Sequence, residues 1–255
     1  MSHAPSVNRG KMPDQLALAK CKALVLVGGF GTRLQPVFAR GPKAMAPIGG
    51  RPFLSYLMSQ LAASGFSEVV LCLGYGNKQI KEWVEGQPAL GLQVAYSVEE
   101  EPLGTGGAIR LAVSNLQIES SFFVMNGDSI LELDFAEMLR AHHAHSGTGT
   151  VALAHVPDTG RYGAVQMDDF SRITAFQEKS GSGSLGYING GTYIFEPRIV
   201  ERMVNRGPVS LERSVLPALC PGELYGHRCH GYFIDIGIPE DFQRAQTELG
   251  GLSWL

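Results

Sequence analysis

The sequence predicts an α/β protein built on a doubly wound, mainly parallel, Rossmann-like mixed sheet with helices on both faces. Short apolar runs that end in glycine- or aspartate-containing loops alternate with segments of helical apolar spacing up to about residue 145. The chain has 255 residues, 44% hydrophobic and 18% charged, a composition typical of one globular domain with a large core. Ligands of such sheets bind at the carboxyl ends of the strands, so we expect a site in the loops there.

Strands and helices alternate in the first half of the chain. An apolar run begins at Lys22 and stops at Gly28 and Gly29, as a buried parallel strand does. A helical segment ends before Gly65, a common helix end, and Asp134 is a suitable N-cap for a later helix. The predicted strands are 22–27, 68–73, 92–98 and 121–125, and the predicted helices are 53–63, 78–85, about 106–113 and 134–143.

The second half is less regular, which makes the sheet mixed. Alternating polarity on both sides of the turn at 168–171 predicts a hairpin, and we expect the Gly/Ser stretch at 180–184 to be a mobile loop. Pro239 suits the first turn of a closing helix. The predicted extended segments are 150–155, 162–167, 172–178, 187–195 and 224–233, and the predicted helices are 196–203, 211–219 and 239–249.

Composition and charge exclude several classes of function. The net charge is −3 and there is no block of Lys or Arg, so neither a nucleic-acid partner nor a membrane is expected. No apolar run has the length of a signal peptide or a membrane span, which predicts a cytoplasmic protein. The four cysteines form no C-x-x-C pair and are interpreted as buried, reduced thiols. Residues 1–20 are expected to form a flexible extension, with a short helix at 13–20 as the alternative, and 21–255 to form the domain.

The strongest local feature is the loop at 28–34, with the sequence GGFGTRL, followed by Pro42 and Lys43. It lacks the Gly-Lys-Ser/Thr ending of a P-loop, and Leu34 stands where the dinucleotide-binding fingerprint needs a third glycine. What remains is a strand-end loop whose backbone N–H groups can approach an anion, with Arg33 and Lys43 nearby as cations. Without these cations an ordinary tight turn would be the simpler interpretation.

Two aspartates are candidate metal ligands. Asp128 follows Gly127 at the end of a predicted strand, and Asp235 lies between the apolar residues Ile234 and Ile236. Each could equally be a capping or salt-bridged aspartate. As hard oxygen ligands, the pair would suit Mg²⁺ bridging triphosphate oxygens.

Taken together, these motifs resemble the sugar-1-phosphate nucleotidyltransferases, also called nucleoside-diphosphate-sugar pyrophosphorylases. The resemblance runs from Lys22 to about Gln246 and includes GGFGTRL at 28–34 and GPKAMAPI at 41–48. Within the family the chain is most similar to the D-glycero-α-D-manno-heptose 1-phosphate guanylyltransferases, through KAMAPI at 43–48, EPLGTGG at 101–107 and FIDIG at 233–237. It departs from many relatives at Ala44, where a second proline is usual, and from the glucose-type branch at 36–38.

The resemblance implies a single-domain, GT-A-like nucleotidyltransferase fold. It implies an enzyme that joins a sugar 1-phosphate to a nucleoside triphosphate and releases pyrophosphate. In the branch named, the substrates are GTP and heptose 1-phosphate, and the product, GDP-heptose, serves the synthesis of capsule, lipopolysaccharide or S-layer. Mg²⁺ is the implied cofactor.

The resemblance also assigns residues on the nucleotide side, in a part of the domain at about 21–145. Arg33, Lys43 and Asp128 are the implied catalytic residues on this side, and Asp128 and Asp235 the implied metal ligands. A glutamate accepts from the two adjacent donors of guanine, and Glu99 is the preferred candidate by its spacing to Gly104. The full set implied to bind the nucleotide is Val27, Gly28, Gly29, Gly31, Thr32, Arg33, Lys43, Glu99, Leu103, Gly104, Thr105, Asn126 and Asp128.

The sugar side is implied to lie at about 146–235. By themselves Glu178 and Lys179 would be a solvated charge pair, but the family places a sugar-binding Glu and a catalytic, phosphate-orienting Lys here. Gly163 would allow close backbone approach to the sugar, and Asn189 and Gly190 would belong to the sugar-binding strand.

Several alternatives remain open at this stage. The chain could be a mannose 1-phosphate guanylyltransferase or a uridylyl- or thymidylyltransferase for another sugar. From another class, it could be a non-catalytic nucleotide-sugar-binding regulatory subunit. We expect a bare catalytic domain without the C-terminal β-helix of many relatives. A homo-oligomer is compatible with the sequence but not indicated by it. His142, His143 and His145 are interpreted as surface residues at a helix end.

Overall fold

A computed structural model describes residues 16–29, 31, 34, 37–38, 41–87, 91–179, 181, 183–203 and 207–252. The strands are β1 (Lys22–Leu26), β2 (Pro47–Ile48), β3 (Arg51–Pro52), β4 (Glu68–Leu73), β5 (Gln93–Val98), β6 (Phe122–Asn126), β7 (Ser129–Leu131), β8 (Gly149–Val156), β9 (Val165–Met167), β10 (Ile173–Phe176), β11 (Gly186–Phe195), β12 (Leu224–Cys229) and β13 (Phe233–Asp235).

The α-helices are α1 (Phe53–Ser64), α2 (Asn77–Glu85), α3 (Gly104–Asn115), α4 (Phe135–His143), α5 (Leu216–Ala218) and α6 (Pro239–Glu248). Three short 3₁₀ segments are Lys43–Met45, Pro197–Met203 and Leu249–Gly251, and a π-helical turn spans Leu211–Val215. No helix in the described ranges combines the length and the hydropathy needed to cross a membrane.

One seven-stranded sheet organises the molecule, in the order β12-β8-β11-β6-β1-β4-β5. Strand β1 pairs in parallel with β4 and β6, β4 with β5, and β8 with β12. Strand β11 runs antiparallel to both of its neighbours, β6 and β8. The sheet is therefore mixed but mainly parallel, and the carboxyl ends of its parallel strands meet at one edge.

Both faces of the sheet carry helices, because successive residues of a buried strand point to opposite sides. Ala23 and Val25 of β1 belong to a core that includes residues of α1, α2, α4 and α6. Leu24 belongs to a second core, with α3, the π-helical turn and α5. All three residues are completely buried.

The predicted alternation in the first half is confirmed, with ends shifted by one or two residues. Asp134 caps α4 by accepting a hydrogen bond from the Glu137 N–H at 2.9 Å. Gly65 ends α1 in the left-handed conformation, and the chain begins α6 with Pro239. The predicted hairpin at 162–178 forms as the antiparallel pair β9–β10. Within the N-terminal extension, residues 16–18 are helical and 19–20 form a turn, whereas 1–15 lie outside the described residues.

The second half differs from prediction in three places. The predicted helices at 196–203 and 211–219 are a 3₁₀ segment, and a π-helical turn followed by one α-helical turn. The extended segment at 224–233 divides into β12, which joins the main sheet, and β13, which leaves it to pair with β7. The polarity pattern along 224–233 does not indicate that its two halves pair with different strands.

His142 is a buried residue, so the surface interpretation of this cluster was wrong for its first member. The imidazole is 2% exposed, and its nitrogens contact Thr150 Oγ1 at 2.8 Å and Glu196 Oε1 at 3.0 Å. His145 reaches the same Thr150 hydroxyl at 2.8 Å and stacks on the Tyr225 ring, with centroids 3.7 Å apart. The cluster ties the end of α4 to β8 and β12 at the edge of the sheet away from the strand-end loops.

We expect the substitution His145→Gln to reduce acid destabilisation of the fold. Burial lowers the pKa of His145 to about 4, below the usual value of 6.5. Since the unfolded chain then binds a proton before the folded chain does, stability should fall as pH drops below about 6.5 and until about 4. Urea unfolding at about pH 7 and pH 5 should show a smaller loss for His145→Gln than for the wild type.

His143→Gln is the matched control, because His143 is exposed on the same helix end. An equal loss of unfolding free energy in the wild type and His145→Gln would contradict the lowered pKa of His145 as the cause of the acid destabilisation.

Candidate active site

A cleft of about 540 Å³ lies at the carboxyl ends of the central strands. It collects residues from β1, β4, β6 and the loops that follow β1, β5, β6 and β13. Its described lining is Leu26, Val27, Gly28, Gly29, Gly31, Lys43, Ala44, Cys72, Glu99, Pro102, Gly104, Thr105, Ala108, Asn126, Gly127, Asp128, Glu212, Asp235 and Gly237.

The two candidate metal aspartates are brought together by a small antiparallel ladder outside the main sheet. Strand β13 pairs with β7 so that Asp235 lies opposite Ser129. The Ile236 N–H donates to the Asp128 carbonyl at 2.9 Å, which continues the ladder by one bond. The Gly237 N–H donates to Asp235 Oδ1 at 2.7 Å and thereby orients that carboxylate.

Lys43 lies between these two carboxylates. Its Nζ is 2.6 Å from Asp128 Oδ2 and 3.6 Å from Asp235 Oδ1. The lysine side chain is 11% exposed, whereas the aspartates are 38% and 35% exposed and so face the cleft. Both carboxylates therefore converge on a single cationic position, and the charge of one ammonium group does not fully neutralise them.

The donor set fits a divalent ion that is shared with a ligand. The described residues contain no group of three or more His, Cys, Asp or Glu side chains placed to hold a metal ion, as a closed structural metal site would need. Mg²⁺ is commonly held by one or two carboxylates together with substrate phosphates, and Asp128 and Asp235 offer that number. Both carboxylates contact the Lys43 ammonium, so a cation already lies between them.

The glycine loop after β1 forms the neighbouring wall. Gly31 has φ +60°, and a Cβ there would stand 2.9 Å from Lys43 Cβ, so a larger residue would displace the lysine. Gly127 is equally constrained, because its Cβ would lie 2.5 Å from the Leu26 carbonyl. Arg33 and Thr32, the other predicted residues of this loop, lie outside the described residues.

Glu99 stands at the far end of the cleft, after β5. Its Oε2 accepts a hydrogen bond from the Leu103 N–H at 3.0 Å. Its Oε1 packs against Gly74, where a Cβ would be 2.5 Å away, and against Gly28, where a Cβ would be 3.1 Å away. Burial raises the pKa of Glu99, and the Leu103 hydrogen bond opposes the rise. Gly74 was not predicted as a site residue; a glycine directly after a buried strand was the available signal.

The glycines at 104–107 accommodate a segment from much later in the chain. The Val209 N–H donates to the Leu103 carbonyl, and the Gly106 N–H donates to the Val209 carbonyl, both at 2.8 Å. Gly104 has φ +73°, and its Cβ would lie 2.5 Å from that Val209 oxygen. The need for glycine at 104 is thus explained by protein packing.

Thr105 fastens the same contact. Its hydroxyl donates to Glu212 Oε2 at 3.0 Å and accepts from the Leu211 N–H at 2.8 Å. This hydroxyl therefore connects α3 to the π-helical turn. The sequence did not indicate Glu212, because an acidic residue two positions after the N-cap Ser210 is an ordinary feature of a helix start.

Asn126 connects the cleft to β11. The Tyr193 hydroxyl bonds to the side chains of Asn126 and Asn189, and the Asn189 Nδ2 donates to it at 2.9 Å. Among the described residues Asn126 Oδ1 is buried without a hydrogen-bond partner, so it remains an acceptor beside Asp128. Gly191, at φ +74°, allows the β11 bulge to pass within contact of Asn126 and Ser129.

The structure does not bring the other predicted sugar-side residues into the cleft lining. Glu178 and Lys179 are exposed beyond the end of β10. Gly163 is buried at φ +90°, and its Cβ would lie 2.4 Å from the Gln177 carbonyl, so protein packing already explains this glycine. Asn189 also accepts from the Gly191 N–H at 3.0 Å, and a Cβ on Gly190 would meet Leu131 at 2.5 Å. Their roles toward a sugar stay predictions.

All the nucleotide-side and metal predictions except two fall on described residues, and each of these lines the cleft or bonds to a residue that does. Leu103 is held through Glu99, and the lining residues are Val27, Gly28, Gly29, Gly31, Lys43, Glu99, Gly104, Thr105, Asn126, Asp128 and Asp235. The exceptions, Thr32 and Arg33, are those outside the described residues. The four cysteines are free, as expected, and burial raises the pKa of Cys72, in the cleft wall, to about 12.

A doubly wound sheet with a glycine loop and paired carboxylates at its strand ends is typical of nucleotide-binding enzymes. The sequence profile described as "Nucleotidyl transferase" matches residues 22–250, and the chain belongs to this family. It is a nucleotidyltransferase.

Two curated relatives place it more closely. It is 40% identical to D-glycero-alpha-D-manno-heptose 1-phosphate guanylyltransferase from Aneurinibacillus thermoaerophilus, over 89% of this chain and 98% of the relative. It is 38% identical to mannose-1-phosphate guanylyltransferase from Mycobacterium tuberculosis, over 92% of this chain but only 66% of that protein. Both relatives are sugar-1-phosphate guanylyltransferases.

Among solved structures, HddC from Yersinia pseudotuberculosis matches with a TM-score of 0.79 and 35% identity, covering 89% of this chain and 98% of HddC. HddC has also been solved in complex with GMP-PN. A glucose-1-phosphate thymidylyltransferase-like structure from Bacillus anthracis shares the fold at a TM-score of 0.74 and 20% identity.

We expect Gly104→Ala to destabilise the protein by about 2 kcal/mol or more, because it adds left-handed backbone strain to a collision with Val209. The free energy of unfolding from urea titration measures the effect. Gly207→Ala is the control, since no heavy atom lies within 4 Å of its built Cβ. Equal stability of the two variants would show that the Val209 segment does not dock as described.

Proposed function

We propose that the protein transfers a guanylyl group from GTP to a sugar 1-phosphate, with D-glycero-α-D-manno-heptose 1-phosphate as the preferred acceptor. The products are GDP-heptose and pyrophosphate. The observation that carries the proposal is the convergence of Asp128, Asp235 and Lys43 beside a glycine wall. The similarity to a heptose 1-phosphate guanylyltransferase over almost its whole length supports the choice of acceptor.

The strand order supports a two-substrate site. Glu99 follows β5, Gly28 follows β1, Asp128 follows β6, and Asn189 lies on β11. In the sheet these strands stand in the order β11-β6-β1-β4-β5. A nucleotide with its base near Glu99 would place its phosphates over β1, and the acceptor sugar would lie over β11. Asp128 at the end of β6, with Asp235 of β13 beside it, would then stand between the two substrates, where the new bond forms.

The reaction we propose is an in-line displacement at the α-phosphorus of GTP. An oxygen of the sugar 1-phosphate forms the new P–O bond, and the bond to the β-phosphate oxygen breaks, so pyrophosphate leaves. The attacking oxygen is already anionic, so no general base and no nucleophilic side chain are needed. The protein contributes positioning and charge stabilisation.

We assign that stabilisation to residues on the nucleotide side and on the sugar side of the cleft. The backbone amides of Gly28, Gly29 and Gly31 would face the pyrophosphate leaving group, with Arg33 as a further cation. Lys43 is positioned to turn its ammonium from the carboxylates to a phosphate. Lys179 would orient the attacking phosphate, and Glu178, Asn189, Gly163 and Gly190 would contact the sugar.

Mg²⁺ is the cofactor that we propose for Asp128 and Asp235. When bound, it would neutralise charge around the α-phosphate. Asn126, with its unpartnered buried Oδ1, offers a neutral acceptor at the same place.

Guanine is the base that Glu99 favours. A carboxylate accepts from the adjacent N1–H and N2–H groups of guanine, whereas uracil and thymine present one donor between two acceptors. The half-buried carboxylate keeps one oxygen toward Gly28 and Gly74, and the other accepts from the Leu103 N–H. Leu103, Gly104 and Thr105 would shape the pocket of the base.

The wider setting follows from the proposed product. A GDP-heptose is an activated donor for surface polysaccharide such as capsule, lipopolysaccharide or S-layer. We propose a cytoplasmic enzyme without nucleic-acid or membrane partners, in which residues 21–255 form the catalytic domain, about 21–145 serving the nucleotide and 146–235 the sugar. A homo-oligomer is compatible with this proposal.

Mannose 1-phosphate is the second candidate acceptor, favoured by the 38% identity to a mannose-1-phosphate guanylyltransferase. A regulatory subunit without catalysis is disfavoured, because the described carboxylates and Lys43 are all present and converge.

A pyrophosphate-release assay tests the proposal. Each of the four common nucleoside triphosphates is combined with heptose, mannose and glucose 1-phosphates, with and without Mg²⁺. We expect turnover with GTP and heptose 1-phosphate that requires the metal. A preference for UTP or dTTP would overturn the guanylyl assignment, and the absence of turnover with every pair would favour the regulatory alternative.

We expect Lys43→Met to lower kcat/KM by roughly 100-fold or more, because the phosphate loses a cation positioned in a partly buried site. The same variant should bind Mn²⁺ more tightly without nucleotide, because two carboxylates then converge on an open position. Mn²⁺ affinity can be measured by electron paramagnetic resonance of the free ion.

Lys22→Met is the matched control, since Lys22 pairs with Glu68 at the opposite end of β1. Unchanged Mn²⁺ binding in Lys43→Met would show that the ammonium does not compete for the carboxylates.

A further inference from the structure

Glu212 is the cleft carboxylate for which the proposed function has no role. It lines the cleft from the π-helical turn, and its side chain is held by hydroxyl groups, those of Thr105 at 3.0 Å and Ser210 at 3.2 Å. In a site for a triphosphate, a carboxylate is repelled by the phosphates unless it faces a cation or a neutral donor. Asp128 and Asp235 face Lys43, whereas both hydrogen bonds of Glu212 come from neutral groups and end on Oε2.

The second oxygen of Glu212 keeps its acceptor capacity among the described residues. The Thr105 hydroxyl already donates its proton to Glu212 and accepts from the Leu211 N–H. The carboxylate is therefore held in a fixed position by one oxygen and presents the other as an acceptor. This is an arrangement suited to a hydroxyl donor on a ligand.

The position of Glu212 favours the sugar over the ribose as that ligand. Glu212 bonds to Thr105. It also acts on the buried Tyr193 of β11, whose pKa is raised by burial first and further by the charge of Glu212. Tyr193 holds Asn189, the predicted sugar contact on the same strand. In the proposed arrangement, the ribose follows the base over β1, β4 and β5, on the other side of β6.

We propose that Glu212 is a specificity-determining residue that accepts a hydrogen bond from a ring hydroxyl of the sugar 1-phosphate. The proposal rests on the proposed function, since it needs a sugar 1-phosphate as the second substrate. Through Thr105 the same side chain holds the loop at 103–107, so its carboxylate is fixed relative to the nucleotide as well as to the sugar.

The test removes the hydrogen bond from each side in turn. Wild type, Glu212→Ala and Glu212→Gln are assayed with the sugar 1-phosphate that the wild type prefers and with its 2-, 3- and 4-deoxy analogues. The wild type should lose roughly 10- to 100-fold in kcat/KM on one of the deoxy analogues, the loss typical of a hydrogen bond to a charged group. Glu212→Ala should turn over the parent sugar and that analogue within about threefold of each other, and Glu212→Gln should lie between.

Two controls separate sugar contact from loop support. Thr105→Val removes the clamp but keeps the carboxylate, so it should lower kcat/KM for all the sugars by one common factor and keep the discrimination. Glu201→Ala removes an exposed carboxylate outside the cleft and should behave as the wild type. The KM for GTP and the GTP-to-dGTP ratio are measured for every variant.

Three results would overturn the proposal. Equal losses for Glu212→Ala on the parent and on every deoxy analogue would make Glu212 a support of the loop alone. A lost preference for GTP over dGTP, with unchanged sugar discrimination, would assign it to the ribose. No turnover by the wild type with any nucleotide would remove the proposed function and this inference together, which the other two results would not do.

Discussion

The site depends on the antiparallel pairing of β7 with β13, outside the main sheet. This ladder, extended by the Ile236 N–H on the Asp128 carbonyl, joins two loops that are far apart in the sequence. Without it, Asp128 would end a strand of the central sheet and Asp235 would have no fixed relation to it. With it, both carboxylates face one ammonium group and form the preformed pair of oxygen ligands that the proposed divalent ion needs. The backbone hydrogen bonds of this ladder thus fix the position of Asp235 relative to Asp128.

The segment behind β13 is braced in the same way. Asp241, in the first turn of α6, is 1% exposed and pairs with Arg161 and Arg244. A buried carboxylate is tolerated only when such partners satisfy it. Because Arg161 lies just before Tyr162 and Gly163, this network connects the Asp235 loop to the entrance of the predicted sugar side. The Tyr162 ring packs on Phe233, with centroids 5.6 Å apart, which adds an apolar contact to the polar one. Ion pairs and an aromatic contact therefore join the Asp235 loop to the predicted sugar-side residues at 161–163.

The glycines of the cleft illustrate how packing and ligand binding use the same residues. At Gly104 and Gly163 the absent Cβ makes room for the carbonyls of Val209 and Gln177, and at Gly74 it makes room for the Glu99 carboxylate. A glycine in a strand-end loop is thus not by itself evidence of ligand approach. At Gly29, by contrast, no atom of the described residues lies within 4 Å of a built Cβ. Gly29 lines the cleft, and packing does not explain why this position is a glycine, so the interpretation as a phosphate-binding glycine stands there.

The sequence by itself determined the alternation of strands and helices, the strand-end position of the cleft and most of the residues that line it. It could do so because apolar period, glycine turns and caps are local properties, as the agreement at β4 and the Asp134 cap shows. It also indicated Asp128 and Asp235 as candidate metal ligands, although only the family resemblance assigned both to one site. The tertiary structure alone decided that β13 leaves the sheet, that His142 is buried, that Glu212 lines the cleft and that Gly74 packs against Glu99. Each of these depends on which distant segment packs against the residue, and a contact between distant segments leaves no periodic trace in either of them.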